Sequence, residues 1–183
     1  AYARWNQSQL QSQWAAARQK PHSSNKSQTS SRNAKTPNAK KSSKATSRPW
    51  PATRIVSADM DLNAVVLSGF DEATLRGGPG HLPTSALPGE MGNCVIAAHR
   101  NVYGSYFYNV DKLFPGAEIT LQTPDADYKY MVISVSTIAD NDVSILRPPA
   151  EPNVARLTLI TCFTQRTTSR ICVIAQMQPQ ETY

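Results

Sequence analysis

The chain has 183 residues, enough for one domain with an appendage, and a formal net charge of +6. That charge is unevenly placed: residues 1–54 hold eleven Lys and Arg and no Asp or Glu, whereas residues 55–183 carry a net −5. An acidic main body argues against nucleic acid as a partner, no run approaches the roughly 20 apolar residues of a bilayer span, and Cys94, Cys162 and Cys172 form neither a dense disulfide scaffold nor a CxxC zinc site.

In chain order, Trp5, Leu10, Trp14 and Ala17 recur at roughly helical spacing, which predicts a short amphipathic helix over residues 1–20. It is too short and too polar to cross a bilayer. Residues 21–52 turn to Ser, Lys, Asn, Thr and Pro, with almost no large apolar residue before Trp50, a composition that cannot bury enough surface to offset the entropy of ordering. We read them as a disordered basic linker. Such a linker acts as a spacer extended by its own charge. Alternatively its Lys and Arg adhere to an anionic membrane surface or an acidic wall polymer. Nucleic-acid binding ranks third, because no aromatic residue lies among those charges to stack on bases. The chain opens on Ala1 rather than Met, which accommodates a removed N-terminal anchor or signal.

Residues 53–180 read as an all-β domain. Short apolar or alternating runs occupy 54–57, 62–68, 93–98, 117–122, 128–138, 156–162 and 171–177, separated by turn formers such as Gly77-Gly78-Pro79-Gly80 and Pro148-Pro149. This pattern predicts a barrel or sandwich. A short helix is expected from Asp71 to Leu75, with Asp71 as N-cap and Gly77 ending it. A further helical turn is expected over Val110 to Phe114, before Pro115-Gly116. The stretch from Ala139 to Ala155, with three prolines and no period, reads as a long loop bordering the functional site.

The chemistry concentrates at strand ends. Cys162 closes the run Leu157-Thr158-Leu159-Ile160-Thr161-Cys162, where an inert buried cysteine would be the ordinary finding. The polar loop that follows places Cys162 at a rim, and Arg170 begins the return strand close to it. A cation there lowers a thiol's pKa and offers donors to an oxyanion. His99 ends the buried run from Cys94 to Ala98 and therefore also sits at a rim. Of the other histidines, His22 lies in the linker and His81 in a Gly-Pro-Gly-His turn, the only rival. A thiol, an imidazole and a guanidinium suffice for acyl transfer through a covalent intermediate. Cys94 and Cys172 read as core residues, and Arg100, Arg166 and Tyr103 as loop residues that could meet a substrate.

Those residues carry a family resemblance. Thr158-Leu159-Ile160-Thr161-Cys162 resembles the TLxTC motif of sortases, the cysteine transpeptidases of Gram-positive and some other bacteria, and Gly92 to Arg100 resembles their GNxxIAGHR segment. Gly78-Pro79-Gly80-His81 and Leu87-Pro88-Gly89 are similar to the GPGH and LPG elements of class D and class E. The chain departs from the pattern at Ala98, which replaces a glycine, and in the run from His99 to Gly104, one residue longer than the HRTYG of class E. The eight-residue step from Cys162 to Arg170 fits class E, with class D second.

The resemblance, which covers nearly all of residues 55–178, implies an eight-stranded β-barrel with Cys162 as nucleophile, His99 as general acid–base and Arg170 steadying substrate and oxyanion. Thr161, Tyr103 and Arg100 become oxyanion or substrate contacts. It further implies cleavage of an LPxTG- or LAxTG-like sorting signal between Thr and Gly, with transfer of the acyl group to an amine of a cell-wall precursor or a pilin. No metal or organic cofactor is required. The implied location is the outer face of the bacterial cell membrane, with residues 1–54 as the stalk. The same three residues would also serve a cysteine hydrolase that transfers to water, and a non-catalytic wall-binding module would account for barrel and tail alone.

Overall fold

A computed structural model describes residues 2–19, 49–162 and 168–178. Most of the basic linker, and residues 163–167 with the candidate loop residue Arg166, lie outside the described residues.

Eight strands form a closed barrel: β1 (Thr53–Ser57), β2 (Leu62–Ser68), β3 (Gly80–His81), β4 (Gly92–Ala97), β5 (Glu118–Gln122), β6 (Asp127–Ala139), β7 (Ala155–Cys162) and β8 (Ser169–Met177). Their order around the barrel is β1-β2-β3-β4-β7-β8-β6-β5, with β5 pairing back onto β1. Seven of these strands coincide with the apolar runs in the sequence. The eighth, β3, is two residues long and lies in the Gly-Pro-Gly-His stretch that reads as a turn. It forms because Gly80 and His81 pair with β2 on one side and β4 on the other, so neighbours rather than propensity create it.

Alternation turns one face of each strand inward. Along β1, Thr53, Ile55 and Ser57 are buried and Arg54 and Val56 less so. Ile55, Ile96, Ile119, Leu121, Leu157, Leu159 and Val173 meet in the interior, and Phe107, Val110 and Leu113 from the loop after β4 also join the core. β6 carries an irregularity between Val132 and Ser134, and the intervening Ile133 is exposed.

α2 (Glu72–Gly77) starts where the sequence predicts: the Asp71 carboxylate accepts from the Thr74 N–H at 3.0 Å and from the Thr74 hydroxyl at 2.7 Å. Gly77 is its last residue and Gly78 its C-cap. A 3-10 turn spans Val110–Lys112, within the predicted stretch.

α1 (Tyr2–Gln19) docks on the barrel through residues that hydrophobic spacing only partly reveals. Trp14 is buried against it, its indole N–H donating to the Gln122 carbonyl at 3.3 Å, while the Arg54 guanidinium lies 4.2 Å from the ring centroid. The tighter lock is Gln7, only 5% exposed. Its amide donates to the Val65 carbonyl at 3.0 Å and accepts from the Val65 N–H at 2.8 Å, which pairs backbone that β3 is too short to reach. A Cβ on Gly78 would overlap this amide. No described helix is long and apolar enough to cross a membrane.

Trp50, just before β1, packs onto the barrel. It stacks on His81, with ring centroids 3.8 Å apart, and donates to the Val66 carbonyl at 3.1 Å.

Candidate active site

Strand register brings the three predicted residues to one rim. β4 and β7 run parallel with Ala97 opposite Ile160, so two further steps carry the two chains to His99 and Cys162. β7 and β8 are antiparallel with Cys162 as the direct Cα partner of Arg170. The ladder is extended past β4 by the Ala98 N–H, which donates to the Ile160 carbonyl at 3.3 Å. The Thr161 hydroxyl, on a residue 3% exposed, then donates to the Ala98 carbonyl at 2.7 Å. Thr161 thus ties the backbone just before Cys162 to the backbone just before His99.

A cavity of about 390 Å³ opens at this rim, lined in part by His99, Thr161 and Arg170. Leu75 of α2 and Val143, Ile145 and Leu146 of the loop between β6 and β7 give it apolar walls. That loop contains a 3-10 turn at Ser144–Leu146 and borders the site as the sequence predicts. What holds it is Asn93, a residue to which sequence reasoning assigned no role. Its side-chain N–H donates to the carbonyls of Ile145 at 2.8 Å and Arg147 at 3.2 Å, and its oxygen accepts from the Thr158 hydroxyl at 2.7 Å. The signal was available: a polar Asn opening an apolar strand needs buried partners.

His99 is half-buried, and its Nε2 has no hydrogen-bond partner among the described residues. Burial holds its pKa below the usual histidine value, the Glu72 carboxylate opposes that shift and the Arg76 guanidinium adds to it. The ring is therefore neutral at neutral pH, able to accept a proton and then to return it. The Tyr103 ring lies 5.1 Å from that of His99, tilted by 57°. Arg100 points to other work: its guanidinium pairs with Asp111 at 2.8 Å and donates to the Tyr108 carbonyl at 3.4 Å, which braces the loop after β4.

The rival histidine is structural. His81 is 1% exposed, with Nε2 within 3.0 Å of the Ala86 carbonyl and 2.9 Å of the Ser85 hydroxyl. Because the Ser85 hydroxyl already donates to the Leu82 carbonyl, Nε2 carries the ring proton. Cys94 and Cys172 are buried free thiols inside strands. Burial raises the pKa of both thiols, that of Cys172 to about 11, so neither is a nucleophile.

Fold and site together define a closed β-barrel protein whose strand ends carry His99, Cys162 and Arg170 to one rim, beside a cleft with apolar walls. The sortase domain family matches residues 55–178, and the chain belongs to the sortase family. It is similar to Sortase SrtE1 of Streptomyces coelicolor, with 32% identity over 98 residues that make up 48% of this chain and 28% of that protein. The chain thus matches well under half the length of that relative. Among solved structures, the Clostridium perfringens Sortase D5 transpeptidase superposes with a TM-score of 0.64 at 28% identity, covering 70% of this chain and 79% of the other. Sortase E from Streptomyces avermitilis superposes with a TM-score of 0.61 at 27% identity, covering 71% and 89%. Within the family the sequence is most like class E.

Proposed function

We propose that this chain is a cysteine transpeptidase that anchors secreted proteins by cutting an LPxTG- or LAxTG-like sorting signal between Thr and Gly. The observation that carries this reading is the register: parallel β4 and β7 lead to His99 and Cys162 together, and Arg170 stands directly across from Cys162, at the mouth of a cleft with apolar walls.

In the first half-reaction, neutral His99 takes the thiol proton and the Cys162 sulfur attacks the Thr carbonyl carbon. A C–S bond forms, the carbonyl electrons move to oxygen, and the Arg170 guanidinium stabilises that oxyanion. Collapse breaks the Thr–Gly C–N bond, and the imidazolium of His99 gives its proton to the departing amine. In the second half-reaction an amine of a cell-wall precursor or pilin attacks the thioester, loses its proton to His99 and releases the thiol. Ile145, Leu146 and Leu75 accept the apolar side chain that opens the signal. Thr161 acts by fixing the two strand ends, Arg100 by fixing the loop, and Tyr103 stands beside the imidazole. Residues 21–52 would hold the enzyme near an anionic membrane or wall at the outer cell face.

Incubating the chain with LPxTG and LAxTG peptides, with and without added amines, tests this reading against Cys162→Ala. We expect a thioacyl-enzyme by mass spectrometry in the native chain alone, and amide product when amine is present. Product formed only with water would make the protein a hydrolase. Cleavage of neither peptide would overturn the substrate assignment.

A further inference from the structure

His99 is covered by a cluster that the acyl-transfer steps above do not use. The Arg76 guanidinium of α2 lies 5.2 Å from the centroid of the Tyr103 ring, and that ring packs against His99. Arg76 is itself held by Glu72, its Nε donating to the carboxylate at 3.1 Å. Glu72 lines the same cavity as His99.

The backbone goes to some trouble to place that tyrosine. Tyr103, Gly104 and Ser105 have φ of +50°, +97° and +51° in succession. For non-glycine residues this left-handed conformation costs roughly 1 kcal/mol each, and it persists only where surroundings enforce it. Here they do. The Ser105 N–H donates to the Val102 carbonyl at 3.0 Å, the Phe107 N–H donates to the His99 carbonyl at 3.2 Å, and the Phe107 ring is fully buried. A Cβ on Gly104 would press on the Tyr106 ring. An exposed aromatic held in this way by a strained turn serves a position, not the core.

We propose that Arg76 and Tyr103 form a clamp on His99, positioning residues that fix the imidazole plane and set its local charge while the proton moves from thiol to leaving amine. The proposal rests on the reading of His99 as the acid–base. Tyr103 restrains the ring from one side and is in turn restrained by Arg76, so it acts through His99 rather than on the sorting signal. Glu72 favours the imidazolium and is the larger of the two charge influences, while Arg76 disfavours it, so the pair balances the charge on the ring as the proton comes and goes. Among the described residues, the other charged groups that line the cavity are Asp140 and Asp142 on the loop after β6 and Arg170 on β8, the last paired in register with Cys162 of β7. With Glu72 and Arg76 contributed by α2, the clamp makes that short helix part of the active site.

The test pairs kinetics with NMR titration of the His99 ring, recorded in the full chain and identified by its loss in His99→Gln. Arg76→Met is expected to move the His99 titration, and with it the acidic limb of the pH profile of kcat/KM, to higher pH. Glu72→Gln should move both to lower pH. Tyr103→Ala should lose about tenfold in kcat with KM little changed, because a loosened acid–base is misplaced in the transition state, and Tyr103→Phe should restore most of that loss. Unshifted titrations in both charge variants would overturn the proposal, as would a Tyr103→Ala effect confined to KM. The titration needs no turnover. Shifts in the expected directions on a chain that transfers no acyl group would support the clamp and refute the transpeptidase reading.

Discussion

Replacing Thr161 by valine removes one hydroxyl at nearly constant volume, and that hydroxyl adds a side-chain bond to the backbone ladder between the Cys162 strand and the His99 strand, at the end nearest the two residues. It donates to the Ala98 carbonyl at 2.7 Å from a residue 3% exposed. A buried hydrogen bond contributes about 1 kcal/mol net, approaching 2 kcal/mol when an acceptor is left short of donors. For a domain of this size that corresponds to a fall in Tm of roughly 3–8 °C. The catalytic effect should exceed the stability effect. A relaxation of Ala98 by a fraction of an ångström moves His99 relative to Cys162, and misplacement of about 1 Å can cost on the order of 100-fold in rate. We expect kcat/KM for a sorting-signal peptide to fall about tenfold in Thr161→Val. Thr161→Ser keeps the donor and loses only a methyl, so it should recover most of that loss. The assay is peptide cleavage followed by chromatography beside thermal unfolding by circular dichroism. Valine and serine variants with the same kcat/KM and the same Tm would refute the reasoning, because the hydroxyl would then be linking nothing.

Three further outcomes are expected. Gln7→Leu strips the Val65 backbone of its partners and should lower stability by about 2 kcal/mol, with residues 2–19 cut earlier in limited proteolysis; unchanged cleavage would mean that the Gln7 amide does not anchor α1. Gly89→Ala combines a φ of +79° with a Cβ that would overlap the Tyr128 ring, so a loss of about 3 kcal/mol is expected in denaturant unfolding, and a change below ~1 kcal/mol would contradict that packing. Burial holds the His81 pKa below the ordinary 6.5 in the folded state, so the unfolded chain binds the proton first as pH falls. The stability this contributes is complete above about pH 6.5 and is lost below it, as pH falls toward the lowered folded-state pKa. His81→Gln should flatten the decline of Tm between pH 7 and pH 5, leaving the part due to His99, whose pKa is lowered in the same direction.

How much of this was legible in the sequence differs by element. The seven longer strands announced themselves because each buries one face, and burial imposes a period of two on the chain. Asp71 marked the start of α2 because a capping carboxylate is a local device that needs only the next three residues. The pairing of Cys162 with Arg170 was legible for a similar reason, since a short polar connection returns the chain antiparallel beside itself. β3 was not, because two residues carry no period and exist as a strand only between β2 and β4. Gln7 was invisible as an anchor because glutamine is ordinarily exposed, and its partner lies 58 positions away.

The sequence by itself determined the all-β architecture, the separation of a basic tail from an acidic body and the choice of Cys162, His99 and Arg170 as the candidate site. These follow from composition, local periodicity and short-range chain geometry, together with motifs that the family shares. The tertiary structure alone decided the strand order that closes the barrel, the tie from Thr161 to Ala98, the hold of Asn93 on the cavity loop and the placing of the Arg76 guanidinium over the Tyr103 ring, which is tilted against His99. Each of those joins residues distant in the chain through side-chain hydrogen bonds or ring contacts whose partners are chosen by packing. No local pattern encodes such a choice, because the energy that selects it exists only once the strands are side by side.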